Sequence, residues 1–228
     1  MRSAQSIWMT NPEHGRHAWR VYPWDQPPEI MRNLYHRLFG RALSAWGAPL
    51  MAHLADRKIL ERAIFPYIVE HPEFRDILWV GCSWYTAQYA QLFRDRSFWT
   101  LDFDPLKARY GSARHLIDGM ENLRRHFGVK ILDLVLCNGV VGWGFNSHAK
   151  LEQAFEGCFE SLRPGGVLMI GWNDLPHARP IPFVDLTSLA RFEPYVFPPF
   201  NTHELRTRSI ARHVFTFYQK PTTIVTEH

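Results

Sequence analysis

Three short stretches of this chain carry residue types suited to holding a nucleoside. The apolar run Ile77–Val80 ends at Gly81, and Cys82, Ser83, Trp84 and Tyr85 follow before a helical pattern begins. The run Phe98–Leu101 ends at Asp102, with Phe103, Asp104 and Pro105 beyond it. His115–Ile117 is closed by Asp118 and Gly119. A glycine after a strand lets backbone approach a ligand without a Cβ between them. A carboxylate can accept hydrogen bonds from both hydroxyls of a ribose, and another can accept from an exocyclic amine. Asp102 is placed for the first task and Asp118 for the second. Singly, each residue has an ordinary structural use; Asp104, for one, is placed to cap a helix that Pro105 opens. In order, after consecutive strands, they support each other, because ligands of open parallel sheets bind beyond the carboxyl ends of the strands.

The elements that must position these residues follow from apolar spacing. Ile30, Leu34, Leu38, Phe39 and Leu43 recur at helical spacing, and a second helix is expected from about Leu50 to Val69, kinked or ended by Pro66. Strands and helices then alternate. Helices are expected at about Thr86–Phe93, from Pro105, at Met120–Phe127 and at Lys150–Leu162. Ile131–Cys137 and Val167–Gly171 are further buried strands, the second preceded by a turn at Arg163–Gly166. Continuous apolar strands separated by helices indicate a parallel sheet covered on both faces. A proline-rich region with one short helix near Val184–Ala190 follows, and His213–Gln219 alternates as a half-exposed antiparallel strand would.

Composition narrows the function classes. The chain has 228 residues, 46% apolar and 14% aromatic, with nine Trp, enough for one full-sized core. A net charge of +4 with scattered Arg reads as a solvated basic face rather than a nucleic-acid footprint. Cys82, Cys137 and Cys158 lack disulfide or zinc spacing, so free thiols are expected and no metal is assigned. No run approaches the roughly 18 apolar residues of a membrane span, and a cytoplasmic location is expected. The loop GCSWYT lacks the GxGxxG of a nicotinamide site and the closing Gly of a GxSxG serine nucleophile.

The order of these segments resembles the class I S-adenosylmethionine-dependent methyltransferases, over about residues 75–175. ILWVGCSWYT stands where that superfamily has its Gly-rich first motif, and WTLDFDP is similar to its acidic second motif. ILDLVLCNGVVGW resembles the fourth-strand motif, and FESLRPGGVLMIGWND the helix, turn and fifth strand. The aromatic first motif is also similar to that of a group of bacterial methyltransferase-like proteins. The resemblance implies an α/β fold: a Rossmann-like three-layer αβα sandwich with a mostly parallel seven-stranded sheet, an antiparallel C-terminal strand and N-terminal helices. Residues 1–70 would be a helical segment or lid on the core and residues 71–228 the Rossmann domain.

It further implies S-adenosyl-L-methionine as cofactor, S-adenosyl-L-homocysteine as product, and a cofactor site of Gly81, Cys82, Ser83, Trp84, Tyr85, Asp102, Phe103, Asp104, Asp118, Gly119, Asn138, Gly139 and Val140. Asn138, Trp143 and His148 are candidates for catalysis, and Tyr22, Trp143, Trp172 and Asn173 for substrate binding; Trp143 serves equally as core packing. Two positions depart from the pattern. Trp79 stands where an acid is usual, and Ser83 and Tyr85 replace glycines, so the loop either bends differently or lays the Tyr85 ring over the sulfonium as a cation–π partner. The expected reaction is methyl transfer to a small-molecule O- or N-nucleophile. The alternatives are a non-catalytic nucleotide-binding protein on a degenerate fold and, behind it, an RNA methyltransferase. No membrane or nucleic-acid partner is expected, and a homodimer is compatible with this reading.

Overall fold

A computed structural model describes residues 55–222 apart from Lys130. Tyr22 and the helix expected around Ile30–Leu43 lie outside the described residues. Five parallel strands form the centre of the sheet: β1 (Asp76–Val80), β2 (Ser97–Asp102), β3 (Arg114–Ile117), β4 (Leu132–Asn138) and β5 (Leu162–Asn173). They lie in the order β3-β2-β1-β4-β5. Two short strands, β6 (Glu193–Pro194) and β7 (Glu204–Arg206), and the longer β8 (His213–Gln219) complete it. β8 runs antiparallel to β5, and β6 and β7 pair with successive parts of its other edge. The architecture is the expected one, with eight strands rather than seven.

Strand alternation builds two cores, one on each face of the sheet. Leu78, Val80, Val135, Cys137, Leu168 and Ile170 face one side, where α4 (His148–Ser161) supplies Leu151, Phe155 and Cys158. Ile77, Trp79, Leu134, Leu136 and Met169 face the other, packed on Leu60, Ile64, Phe65 and Ile68. Burying each such side chain is worth about 1.5–3 kcal/mol. The three cysteines are free and buried.

The second face is covered by α1 (Ala55–Ile59), a π-helical turn (Leu60–Ile64) and α2 (Phe65–Glu70). Of the two outcomes expected at Pro66, a kink or an end, the helix does not end there. The wider turn lies directly before it, and Pro66 falls at the start of α2, where a missing N–H costs little. Most connectors near the site are tighter than expected. Trp84–Thr86, Pro105–Tyr110 and Met120–Arg125 are 3-10 turns, and α3 (Tyr89–Leu92) has four residues. The RPGG segment is not a separate turn: β5 runs through it, with a register shift against β4 between Leu132 and Leu134.

The amino edge of the sheet is tied by Asp133. Its Oδ2 accepts from the backbone N–H groups of Arg75 (2.7 Å) and Asp76 (2.8 Å), and its Oδ1 pairs with the Arg163 guanidinium. At the opposite edge the chain leaves β3 and returns to β4 on the far side of β1, so the order reverses there. That reversal leaves a crevice between the loops after β1 and β4.

Candidate active site

A cavity of about 500 Å³ opens at this reversal, within the roughly 300–1,000 Å³ usual for ligand pockets. Gly81 forms its floor. The residue takes φ +88°, and a Cβ there would lie 2.5 Å from Val140 Cγ2, so the loop after β1 and the loop after β4 meet only because position 81 has no side chain. Its N–H donates to the Leu101 carbonyl (2.8 Å) and its carbonyl accepts from the Trp79 indole (2.5 Å). The rest of the loop needs no other left-handed residue. Ser83 is extended, and the turn at Trp84–Thr86 is closed by the Ser83 N–H donating to Thr86 Oγ1 (3.0 Å) and the Thr86 hydroxyl donating to the Ser83 carbonyl (2.8 Å). This is how Ser83 and Tyr85 stand in positions that otherwise ask for glycine.

Asp102 is turned inward beneath this loop, its side chain 3% exposed. Oδ2 accepts from the Cys82 N–H (2.7 Å), Oδ1 from the Asp104 N–H (3.0 Å), and the Lys107 ammonium stands 3.5 Å from Oδ2. A carboxylate has about four lone-pair sites, so one is left toward the cavity unless Lys107 swings away. Burial, then the Asp102 charge, pushes the Cys82 thiol up to about 12. It therefore stays protonated, and Cys82 contributes its backbone N–H rather than a nucleophile. Asp118 holds the turn that follows it. Oδ1 accepts from Gly119 N–H and Asn122 Nδ2 (both 2.7 Å), and Oδ2 pairs with His126 Nε2 at 2.7 Å. The His126 hydrogen bond, then that of Asn122, holds its carboxyl below the usual range. Lys150 and Glu121, 2.7 Å apart, line the same side.

At the other side the wall is a polar network. Asn138 closes β4, and its Oδ1 lies 3.0 Å from His213 Nε2 at the start of β8. His213 Nδ1 lies 3.4 Å from Asn173 Oδ1, which also accepts from the Trp143 indole (3.1 Å), while Asn173 Nδ2 donates to the Ala211 carbonyl (2.8 Å). Burial pushes the His213 imidazole down to about 4. Behind the first loop, the buried Arg57 guanidinium lies 4.3 Å from the centre of the Tyr85 ring and donates to Tyr89 Oη (3.0 Å), which donates to Glu61 (3.0 Å). The cation on Tyr85 in the structure is thus Arg57. Burial pushes the Glu61 carboxyl up.

No protein-family model matches the sequence, and no curated protein matches it. Solved structures do match the fold. A TehB-like SAM-dependent methyltransferase from Corynebacterium glutamicum is 15% identical over 85% of this chain and the whole of its own, with a TM-score of 0.51. TrmN from Thermus thermophilus is 15% identical over 82% of this chain and 53% of its own, TM-score 0.54. The N-methyltransferase NodS from Bradyrhizobium japonicum, in complex with S-adenosyl-L-homocysteine, is 14% identical over 71% of this chain and 88% of its own, TM-score 0.51. The fold is that of the class I S-adenosylmethionine-dependent methyltransferases.

On this methyltransferase fold the cavity gathers most of the residues singled out from sequence. Gly81, Cys82, Ser83, Tyr85, Asp102, Phe103, Asp118, Gly119, Asn138, Gly139, Val140 and Trp143 all line it. Trp84 and Asp104 do not; Trp84 packs edge-on against Tyr85, and Asp104 Oδ1 caps the following turn by accepting from the Leu106 N–H (2.9 Å). Trp172 points into the core, its indole donating to Thr216 Oγ1 (3.1 Å). Asn173 reaches the cavity through Trp143 rather than directly. His148 opens α4 at the surface, 3.1 Å from the Asp185 carbonyl, away from the cavity lining. Sequence reading missed Lys107, Lys150 and Glu121, and it took His213 as no more than a strand residue. A signal existed for one of them: a lysine five residues beyond an acid, across a Pro-opened turn, can fold back on that acid.

Proposed function

We propose that this chain binds S-adenosyl-L-methionine in the cavity and transfers its methyl group to a small-molecule O- or N-nucleophile. The observation that carries the reading is the placement of Gly81, Asp102 and Asp118 around one cavity at the strand-order reversal of this fold. The cradle fits an adenosine: backbone without a Cβ at Gly81, a buried carboxylate with one acceptor position left after β2, and a second carboxylate after β3. That NodS is solved with S-adenosyl-L-homocysteine supports the choice of ligand. When bound, S-adenosyl-L-methionine supplies an electrophilic methyl on a sulfonium.

The chain's own residues hold and orient. Asp102 accepts a sugar hydroxyl, Asp118 an exocyclic amine, and exposed Phe103 covers an apolar face. Asn138 and Trp143 line the acceptor side, where alignment of the nucleophile supplies much of the rate of an in-line displacement. No strong base is required of the site: the Cys82 thiol stays protonated, and His213 is a weak base. Calorimetry with S-adenosyl-L-methionine, S-adenosyl-L-homocysteine and NADH tests the reading. Saturable heat from the first two and none from NADH is expected; no heat from either sulfur ligand sinks it.

A further inference from the structure

Asn138, Asn173 and His213 meet where β4, β5 and β8 come together at the carboxyl edge, in register with one another: Asn138 lies opposite Gly171, and Asn173 opposite His213. All three side chains are buried, and Asn138 reaches His213 only because of Gly171. A Cβ there would stand 1.8 Å from Asn138 Oδ1 and 2.8 Å from His213 Nε2. The gap at Gly171 therefore serves one contact, that between the Asn138 amide and the imidazole.

The hydrogen-bond count at this contact does not close for a neutral ring. Two amide oxygens face the two ring nitrogens, Asn138 Oδ1 at 3.0 Å and Asn173 Oδ1 at 3.4 Å. Two acceptors need two N–H groups, and only the imidazolium has two. Burial makes the ring neutral at pH 7; Asp56 on α1 draws its proton affinity up and Arg57 beside it pushes it down. One amide must then turn. Asn173 is fixed at both ends, because the Trp143 indole can only donate to it and the Ala211 carbonyl can only accept from it. The Asn138 amide has no such second anchor among the described residues, and its two ends are nearly isosteric.

We propose that His213 is a positioning residue whose proton decides which end of the Asn138 amide faces the cavity. In the neutral state Nδ1–H donates to Asn173 Oδ1, Nε2 accepts from Asn138 Nδ2, and the Asn138 oxygen turns to the cavity. Protonation at Nε2 turns the amide back and presents its NH2 group instead. Resting on the methyl-transfer reading, this deepens it: the neutral site offers an acceptor, so it takes a nucleophile that still carries its proton, an amine or an alcohol, rather than a carboxylate.

Nitrogen-15 imidazole spectra of the full chain test this without any substrate. At pH 7 the wild type is expected to show His213 as the Nδ1–H tautomer, converting to imidazolium with a midpoint near 4. Asn173→Ala removes the fixed oxygen and is expected to shift the ring to Nε2–H. Asn138→Asp removes the Nδ2 donor and places a second fixed acceptor against the ring, so the midpoint should rise by roughly 1–3 pH units. An Nε2–H tautomer or an imidazolium in the wild type at pH 7, or an Asn138→Asp chain with an unmoved midpoint, overturns the proposal; backbone amide spectra establish that each variant is folded. Calorimetry with S-adenosyl-L-methionine on the same samples separates the two readings. The expected tautomer with no heat removes the methyl-transfer reading alone, and heat with the wrong tautomer removes the His213 proposal alone.

Discussion

Asp133 at the amino edge of the sheet and Asp102 at the carboxyl edge are bonded in nearly the same way. Each is buried, each accepts from two backbone N–H groups, and each has one cation beside it. They differ in the cation and in what lies beyond it. Asp133 faces a close Arg163 guanidinium and does not line the cavity, whereas Asp102 faces a lysine at 3.5 Å and does. Burial and hydrogen-bond count therefore do not separate a carboxylate that ties strands from one that can also meet a ligand. Place at the sheet edge, and how tightly the cation is held, do.

The contrast predicts that the two acids fail differently. Asp133→Ala should have the largest effect on stability, about 3–5 kcal/mol in urea unfolding, because Arg163 and two N–H groups lose their partner. Its folded fraction should bind S-adenosyl-L-methionine as the wild type does; weakened binding would break the comparison. Next in size is the acid response of the carboxyl edge. The His213 pKa is lower folded than its ordinary 6.5, so the unfolded chain binds the extra proton. Stability from this group is full above pH 6.5 and is lost as pH falls from 6.5 toward 4, on the order of 3 kcal/mol in all. His213→Gln should flatten that stretch of the stability–pH curve, and an unchanged curve would count against a neutral buried ring.

Asp102→Ala should cost affinity for S-adenosyl-L-methionine as well as stability, since the Cys82 and Asp104 N–H groups lose their acceptor too. Loss of one hydrogen bond to a charged group is worth about 1.5–3 kcal/mol, roughly ten- to a hundredfold in Kd by calorimetry. The smallest difference separates two glycines of the same edge. Both Gly81 and Gly139 have positive φ, but nothing lies within 4 Å of a Cβ at Gly139. Gly139→Ala should therefore cost only the backbone term, about 1 kcal/mol, and Gly81→Ala about 1–2 kcal/mol more with weakened ligand binding. Equal thermal shifts for the two would remove the close approach at Gly81 from the argument.

Much of this was legible in the sequence because it depends on local pattern. The apolar runs gave the parallel strands, and residues following them in order gave the cavity edge. What was not legible depends on contacts between distant strands. No spacing announces that Gly171 opens room for Asn138 to meet His213, 75 residues away in sequence. Pro66 marked a break in regular helix geometry, but not that the break would be a π-helical turn directly before it. Trp172 misled because side chains alternate along a strand: next to Asn173 in sequence, it faces the opposite side of the sheet.

Trp79 packs edge-on against Phe65 and Tyr89, and Tyr85 lies under Arg57, so side chains from residues 57 to 65 brace the turn that forms the cavity floor. A protease nicking the short link between Glu70 and Asp76 would leave every cavity-lining residue among the described ones on one fragment. That fragment would keep the bracing of its first loop only while residues 57–68 stayed packed in the core, and their release would slacken the ligand site from behind.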